Sequence, residues 1–246
     1  MIGSKENQEL IILREMAASS QALGSSLLCD VLRKNGEEVS EATVGRLLRD
    51  LDFKGITKRV GFQGRVITPE GKERLNWLLA EKKRNHYGLE LLKSLRLEAK
   101  QDLVDILVAR RAIESEIARL AALHASEKEI RQMQHTLQQQ RAQLAQGHTA
   151  AGPDVEFHCQ LARAGKNRVL QAAMDLIRQD GQLSPIFEFI RKKVKSAMVD
   201  DHERILQAVM KHDPEAAGQA MIDHVEGLIR DVEKYWKDEK YSNNRE

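Results

Sequence analysis

The sequence predicts a mainly α protein, with an N-terminal winged helix-turn-helix and a C-terminal antiparallel all-helical bundle. Three observations carry that prediction. The first 80 residues order their capped apolar segments as helix, helix, helix, hairpin, helix. From residue 102 onward only helical spacing is present, broken at turns bearing Gly or Pro. Four prolines in 246 residues, with long stretches of Leu, Ala, Glu, Lys, Arg and Gln, favour helix throughout.

Taken in order, Leu10, Ile11, Leu13 and Met16 mark a first helix over 5–18. A short second helix follows Gly24-Ser25 and closes on Asn35-Gly36, a pair suited to a C-cap. Ser40 is the N-cap expected for a third helix, whose inner face carries Val44, Leu47, Leu48 and Leu51 and which Gly55 ends. Ile-Thr-Lys-Arg-Val and Arg-Val-Ile-Thr read as two strands around Gly-Phe-Gln-Gly. Thr68-Pro69 then opens a long polar helix over 70–98, whose Leu89, Leu91, Leu92 and Leu95 are expected to pack on the flanking domains. Later helices are expected near 102–124, 126–147, 153–164, 167–180, 184–198, 200–212 and 214–236. The glutamine-rich one, holding Met133, Leu137 and Leu144, reads as exposed. The division is therefore 1–80 as winged helix, 81–100 as helical linker and 101–238 as helical domain.

Charged residues make up 31% of the chain, and no apolar run approaches the roughly 20 residues of a membrane span. The first residues lack the apolar core of a secretory signal, and two distant cysteines imply no disulfide framework. A reducing cytoplasm without membrane association is the expected setting. Net charge is only +2, but residues 42–68 hold six basic residues against two acidic, a local +4 on the third helix and hairpin. Those elements would meet double-stranded DNA. Ser40, Thr43, Arg46 and Arg49 are the candidates for base edges or phosphates, and Lys58, Arg59 and Arg65 for the backbone beside the wing.

In the C-terminal part, Asp154 and His158 stand at i and i+4, on one face of one helix. His202 and His224 lie eleven residues either side of Asp213, which with Pro214 reads as an N-cap and first-turn proline. Two helices leaving that turn each cover roughly 16 Å in eleven residues, so both histidines return to one level of an antiparallel hairpin. One carboxylate and three imidazoles suit a divalent transition metal, zinc first, with nickel, manganese or iron as alternatives. Cys159 points about 100° away from His158 around the helix and reads as a packed thiol. His86, His124, His135, His148 and His212 read as ordinary surface or core residues, and Trp77 and Trp236 as packing residues.

Asp105-Ile-Leu-Val-Ala-Arg110-Arg111-Ala-Ile-Glu114, Asp154-Val-Glu-Phe-His158, Ala164-Gly-Lys-Asn167, His202-Glu-Arg-Ile-Leu-Gln-Ala and Asp213-Pro-Glu-Ala-Ala with His224 resemble, in order and spacing, the effector-binding domain of FadR-type GntR transcription regulators. That resemblance implies a helical bundle in which Asp154, His158, His202 and His224 hold the metal beside a pocket for a small organic acid. It implies Arg110 as the partner of the effector carboxylate, although Arg110 also has Glu114 at i+4 as a plain salt-bridge partner. Asn167 matches an asparagine after the metal-bearing helix. The N-terminal half lacks the Leu-Pro-Ser-Glu motif usual in GntR readers. Residues 8–75, with Gly-Glu-Glu-Val-Ser-Glu-Ala-Thr-Val-Gly-Arg-Leu-Leu-Arg-Asp-Leu-Asp-Phe-Lys-Gly and the closing Thr-Pro-Glu-Gly, instead resemble the winged helix of NrpR-like regulators and the front of ribonuclease R.

The expected function is a ligand-responsive transcription regulator, a repressor, that binds an operator as a homodimer and senses a small carboxylate. Two alternatives stand beside it: a winged-helix DNA-binding protein with a purely structural metal, and a metal-dependent hydrolase. No Glu or Asp is clearly placed as a general base for the latter.

Overall fold

The computed structural model describes residues 3–97, 99–178, 183–194, 196 and 199–243. They form eleven helices and one two-stranded sheet, divided into two compact units after Ser94. The division falls inside the stretch read as a linker. The helix ends expected at 180 and 198, and the break at Gly181, lie outside the described residues.

In the N-terminal unit, α1 (Ser4–Ala18) carries two apolar faces because Leu10, Ile11, Ile12, Leu13 and Met16 wrap around it. Ile11, Ile12 and Met16 pack with Leu28, Cys29 and Leu32 of α2 (Ser25–Lys34) and Val44, Leu47, Leu48 and Leu51 of α3 (Glu41–Phe53). Leu10 and Leu13 instead meet Leu75 and Leu78 of α4 (Pro69–Ser94). Ser40 caps α3, its hydroxyl accepting from the Thr43 N–H at 3.2 Å.

Strands β1 (Thr57–Val60) and β2 (Gly64–Ile67) pair antiparallel, Thr57 opposite Ile67 and Val60 opposite Gly64. Leu23 joins β2 through two backbone bonds of 2.9 Å with Arg65. This close approach requires glycine at 64: φ is +128°, and a Cβ there would lie 2.4 Å from the Leu23 carbonyl. Asp52, at the end of α3, accepts from Thr57 Oγ1 at 2.6 Å and from Arg65 Nε at 2.7 Å, tying the helix to both strands.

Beyond Leu78, α4 departs from expectation. Leu89, Leu91 and Leu92 are exposed rather than packed. Trp77 is likewise 45% exposed, with the Arg74 guanidinium 4.5 Å from its ring centre. No helix among the described residues is long and apolar enough to cross a membrane.

The helical unit comprises α5 (Lys100–His124), α6 (Glu127–Ala145), α7 (Ala151–Ala164), α8 (Arg168–Arg178), α9 (Leu183–Val194), α10 (Val199–Met210) and α11 (Pro214–Asn243). α5 packs along α11, with α7 and α10 also against α5. Leu107, Met133, Phe157, Leu161, Met221 and Val225 are fully buried between them. The glutamine-rich α6 is not an exposed helix, since its stripe of Ile130, Met133, Leu137 and Gln140 is buried. Trp236 packs partly buried against the same core. Between α10 and α11, His212 takes φ +53° and anchors its Nδ1 on the Ala122 carbonyl at 2.9 Å. Asp213 then caps α11 through the Ala216 N–H at 3.0 Å.

Candidate metal and effector centre

The i, i+4 spacing on α7 places Asp154 and His158 on its inner face, and the α10–α11 turn brings His202 and His224 opposite them. All three histidines are buried, and one nitrogen from each lies within 4.8 Å of the others. His158 Nε2 is 3.3 Å from His202 Nε2. Asp154 Oδ1 lies 3.5 Å from His202 Nε2 and 4.0 Å from His158 Nε2. The ring of Phe157, 4.9 Å from that of His202, closes one side of the cluster.

Partners on the far side of the rings determine what the cluster can hold. His158 Nδ1 lies against the Glu114 carboxylate. His202 Nδ1 lies 3.0 Å from Gln140 Oε1, an oxygen that can only accept. These acceptors place the protons on the two Nδ1 atoms, leaving the facing Nε2 lone pairs at 3.3 Å with no proton between them. Among the described residues, neither nitrogen of His224 has a hydrogen-bond partner, although Nδ1 stands 3.5 Å from Asp201 Oδ2. Buried acceptors facing one another are costly unless a cation lies between them. The donor set therefore fits a divalent transition metal, and a carboxylate behind a ligating histidine is the usual support for such a site.

Charge in the cluster is fixed by its surroundings. Burial, followed by repulsion from Arg178, pushes His158 down to about 4 despite Glu114. His202 is held well below the usual histidine range by burial and by His224. His224 is lowered by burial, which outweighs its attraction to Asp201. All three are neutral imidazoles near neutral pH, the protonation state a metal requires. Burial works against the Glu114 and Asp154 carboxylates, but neighbouring cations outweigh it and keep both ionised.

Beside the histidines is a small cavity of about 20 Å³, lined by Arg110, Asp154, Ser184, Arg191, His202 and His224 among others. That is room for roughly one water. Arg110 reaches the cavity, but its Nε is bonded to Glu114 Oε1 at 2.5 Å. Asp154 Oδ2 accepts from Ser184 Oγ at 2.9 Å and lies 3.4 Å from Arg178, so Oδ1 alone faces the histidines. Arg191 is held between Asp201 at 3.4 Å and Asp231 at 3.2 Å.

The FCD domain family matches residues 105–227, half of the chain, and includes Asp154, His158, His202 and His224. The chain belongs to the FCD-domain family of GntR-type regulators. The ribonuclease R winged-helix family matches residues 10–75. The Exu regulon transcriptional regulator of Escherichia coli K12 is 32% identical over 126 residues, covering 50% of this chain and 48% of its own. The global nitrogen regulator NrpR of Methanococcus maripaludis is 33% identical over 69 residues, 28% of this chain and 13% of its own. The chain thus spans about half the length, or less, of these curated relatives. E. coli McbR/YncC shares the fold, with a TM-score of 0.50 at 14% identity over 96% of this chain and 100% of that one. The family and its relatives are transcriptional regulators, which sets the hydrolase reading aside.

Several residues of this FCD domain were not legible as site residues. Glu114 reads as an exposed partner of Arg110, whereas both are buried, at 1% and 2% exposure. The signal was their position: Arg110 and Glu114 continue the buried stripe Leu103, Ile106, Leu107, Ile117. Gln140 on α6, Arg178 on α8 and Arg191 on α9 also occupy positions where the helical period calls for an apolar side chain. Asn167 is not among the residues lining the cavity. It is exposed, and its Oδ1 caps α8 by accepting from the Val169 and Leu170 N–H groups at 3.1 and 3.2 Å.

On the winged helix, Arg46 and Arg49 lie on the exposed face of α3, and Lys58 and Arg59 are exposed on β1. Thr43 is half-buried, its hydroxyl 3.0 Å from that of Ser40, so this pair serves first as the helix cap. Arg65 differs from Lys58 and Arg59 in that its guanidinium is engaged with Asp52 and largely covered.

Proposed function

We propose that the protein is a DNA-binding transcriptional regulator that senses a small organic acid at a metal centre in its FCD domain. The observation that carries the reading is the convergence of neutral His158, His202 and His224 with one oxygen of Asp154, beside a cavity reached by Arg110. These four residues would hold a divalent transition metal, zinc by preference, and the metal would supply open coordination positions to a carboxylate. Arg110 would orient that carboxylate, and because it is already bonded to Glu114, acid binding would draw on the same buried charge network. Arg46, Arg49, Lys58 and Arg59 would contact the operator. A homodimer would present two such faces to a pseudo-palindromic site, and the acid would release a repressor. Ligand binding shifts operator affinity only through a difference in acid affinity between DNA-competent and incompetent states.

The small cavity favours a second reading, in which the metal is structural and no effector binds. A thermal-shift screen against small organic acids, with and without chelator, separates the two. A stabilising acid whose effect vanishes on metal removal supports the sensor. A fully metallated protein that responds to none of the acids leaves the structural reading.

A further inference from the structure

Among the described residues, Phe62 is a large apolar side chain left wholly exposed. It stands at the tip of the β1–β2 hairpin and is 103% exposed, whereas Phe157 and Phe187 are buried in the helical core. Its arm is rigid. The turn is closed by the Gln63 N–H to the Val60 carbonyl at 3.0 Å, and Arg59 Nε bonds the Gly61 carbonyl at 3.0 Å. Below the tip, Leu23 and Asp52 pin β2 and the base of β1 as described. The charge nearest the tip in the chain is positive: residues 53–69 hold no acidic residue, and Lys58 and Arg59 are exposed on β1, whereas Arg65 is paired with Asp52 and Lys54 with Asp50. A preformed apolar probe amid fixed positive charge needs little ordering on binding, and its partner must be anionic with an apolar interior within reach. Stacked base pairs framed by phosphates meet that description.

We infer that Phe62 is a wedge that enters the DNA minor groove beside the segment contacted by α3 and unstacks one base step. This rests on the DNA-binding reading above and deepens it. Apolar side chains that insert in this way kink the duplex, most easily at pyrimidine–purine steps. Phe62 would therefore select its site by deformability rather than by hydrogen bonds, while Lys58 and Arg59 bind the adjoining phosphates.

The test uses the full-length protein and duplexes it selects from a random-sequence pool. Phe62→Ala should keep the wild-type melting curve, since Phe62 is fully exposed. It should weaken binding about tenfold, in the range set by loss of one stacking contact, and abolish the bend seen by circular-permutation electrophoresis. Its salt dependence should match wild type. Phe62→Leu should retain most of the bend. Lys58→Ala should do the reverse, lowering the salt slope by about one while keeping the bend. Phe53→Ala, another exposed phenylalanine (92%) but at the end of α3, should leave the bend unchanged. Selected DNA that binds and bends equally with Phe62→Ala overturns the wedge alone. A wild-type protein that selects no duplex overturns both the wedge and the DNA-binding reading.

Discussion

Among the described residues, the N-terminal unit buries two polar side chains, Glu9 and Thr57, each with a close partner, while the helical unit buries eleven. In the first unit charge lies outside an apolar core, where solvent screens it. In the second, Arg110, Glu114, Arg178, Arg191 and three histidines replace apolar side chains inside the core itself. Folding charge into a core costs desolvation that pairing only partly repays. The contrast teaches where to look for function: the winged helix presents its chemistry on a surface, and the FCD domain encloses it.

The sharpest way to break that contrast is to remove one carboxylate from each unit. Glu114→Ala leaves Arg110 and Arg178 buried without their main counter-charge. It should cost the helical unit about 3–5 kcal/mol, the usual penalty for breaking a buried pair. Glu9→Ala leaves Arg74, 30% exposed, free to turn toward water, and should cost about 1 kcal/mol or less. Denaturant unfolding followed separately for the two transitions checks this, and equal losses would erase the distinction.

Metal comes next in size. Saturating zinc at about 100 times its Kd should stabilise the helical unit by about 2.7 kcal/mol and leave the winged-helix transition where it was. His224→Ala should abolish the calorimetric shift. A shift in the winged-helix transition instead would place the ion outside the histidine cluster.

The smallest effect concerns a surface charge of the helical unit. Glu129 caps α6 through Ser126 and contacts Lys166, and these partners, Lys166 first, lower its pKa to about 2 from the ordinary 4.5. The unfolded chain therefore takes up this proton first as pH falls. The stability Glu129 contributes should be complete above about 4.5 and disappear as pH drops toward 2. Glu129→Gln should flatten the melting temperature across that window. A large loss from this variant would mean that burial is not what separates the two regions.

The sequence showed where chain direction and period leave few choices. Ser40 and Asp213 marked their helix starts, and the equal arms about Asp213 brought His202 and His224 together. What it hid were polar residues at apolar positions. Gln140 was lost in a glutamine-rich helix, although it sits at i+3 from Leu137 and i+7 from Met133. Arg65 and Asn167 have local partners that spacing does not show: Asp52 pairs with the first, and the start of α8 is capped by the second. The exposed leucines of α4 show that apolar residues at helical spacing do not by themselves imply burial.

Connections between helices are ordinarily where a chain best tolerates gained or lost residues. The one joining α10 to α11 should not be. His212, bonded to the Ala122 carbonyl, and Asp213, at the N-terminus of α11, fix where each arm begins. One residue added to either arm would carry that histidine about 1.5 Å along its axis and about 100° around it, away from the others. Length in these arms is thus as constrained as identity in the site, and a single codon inserted in either should silence the centre without altering any of its residues.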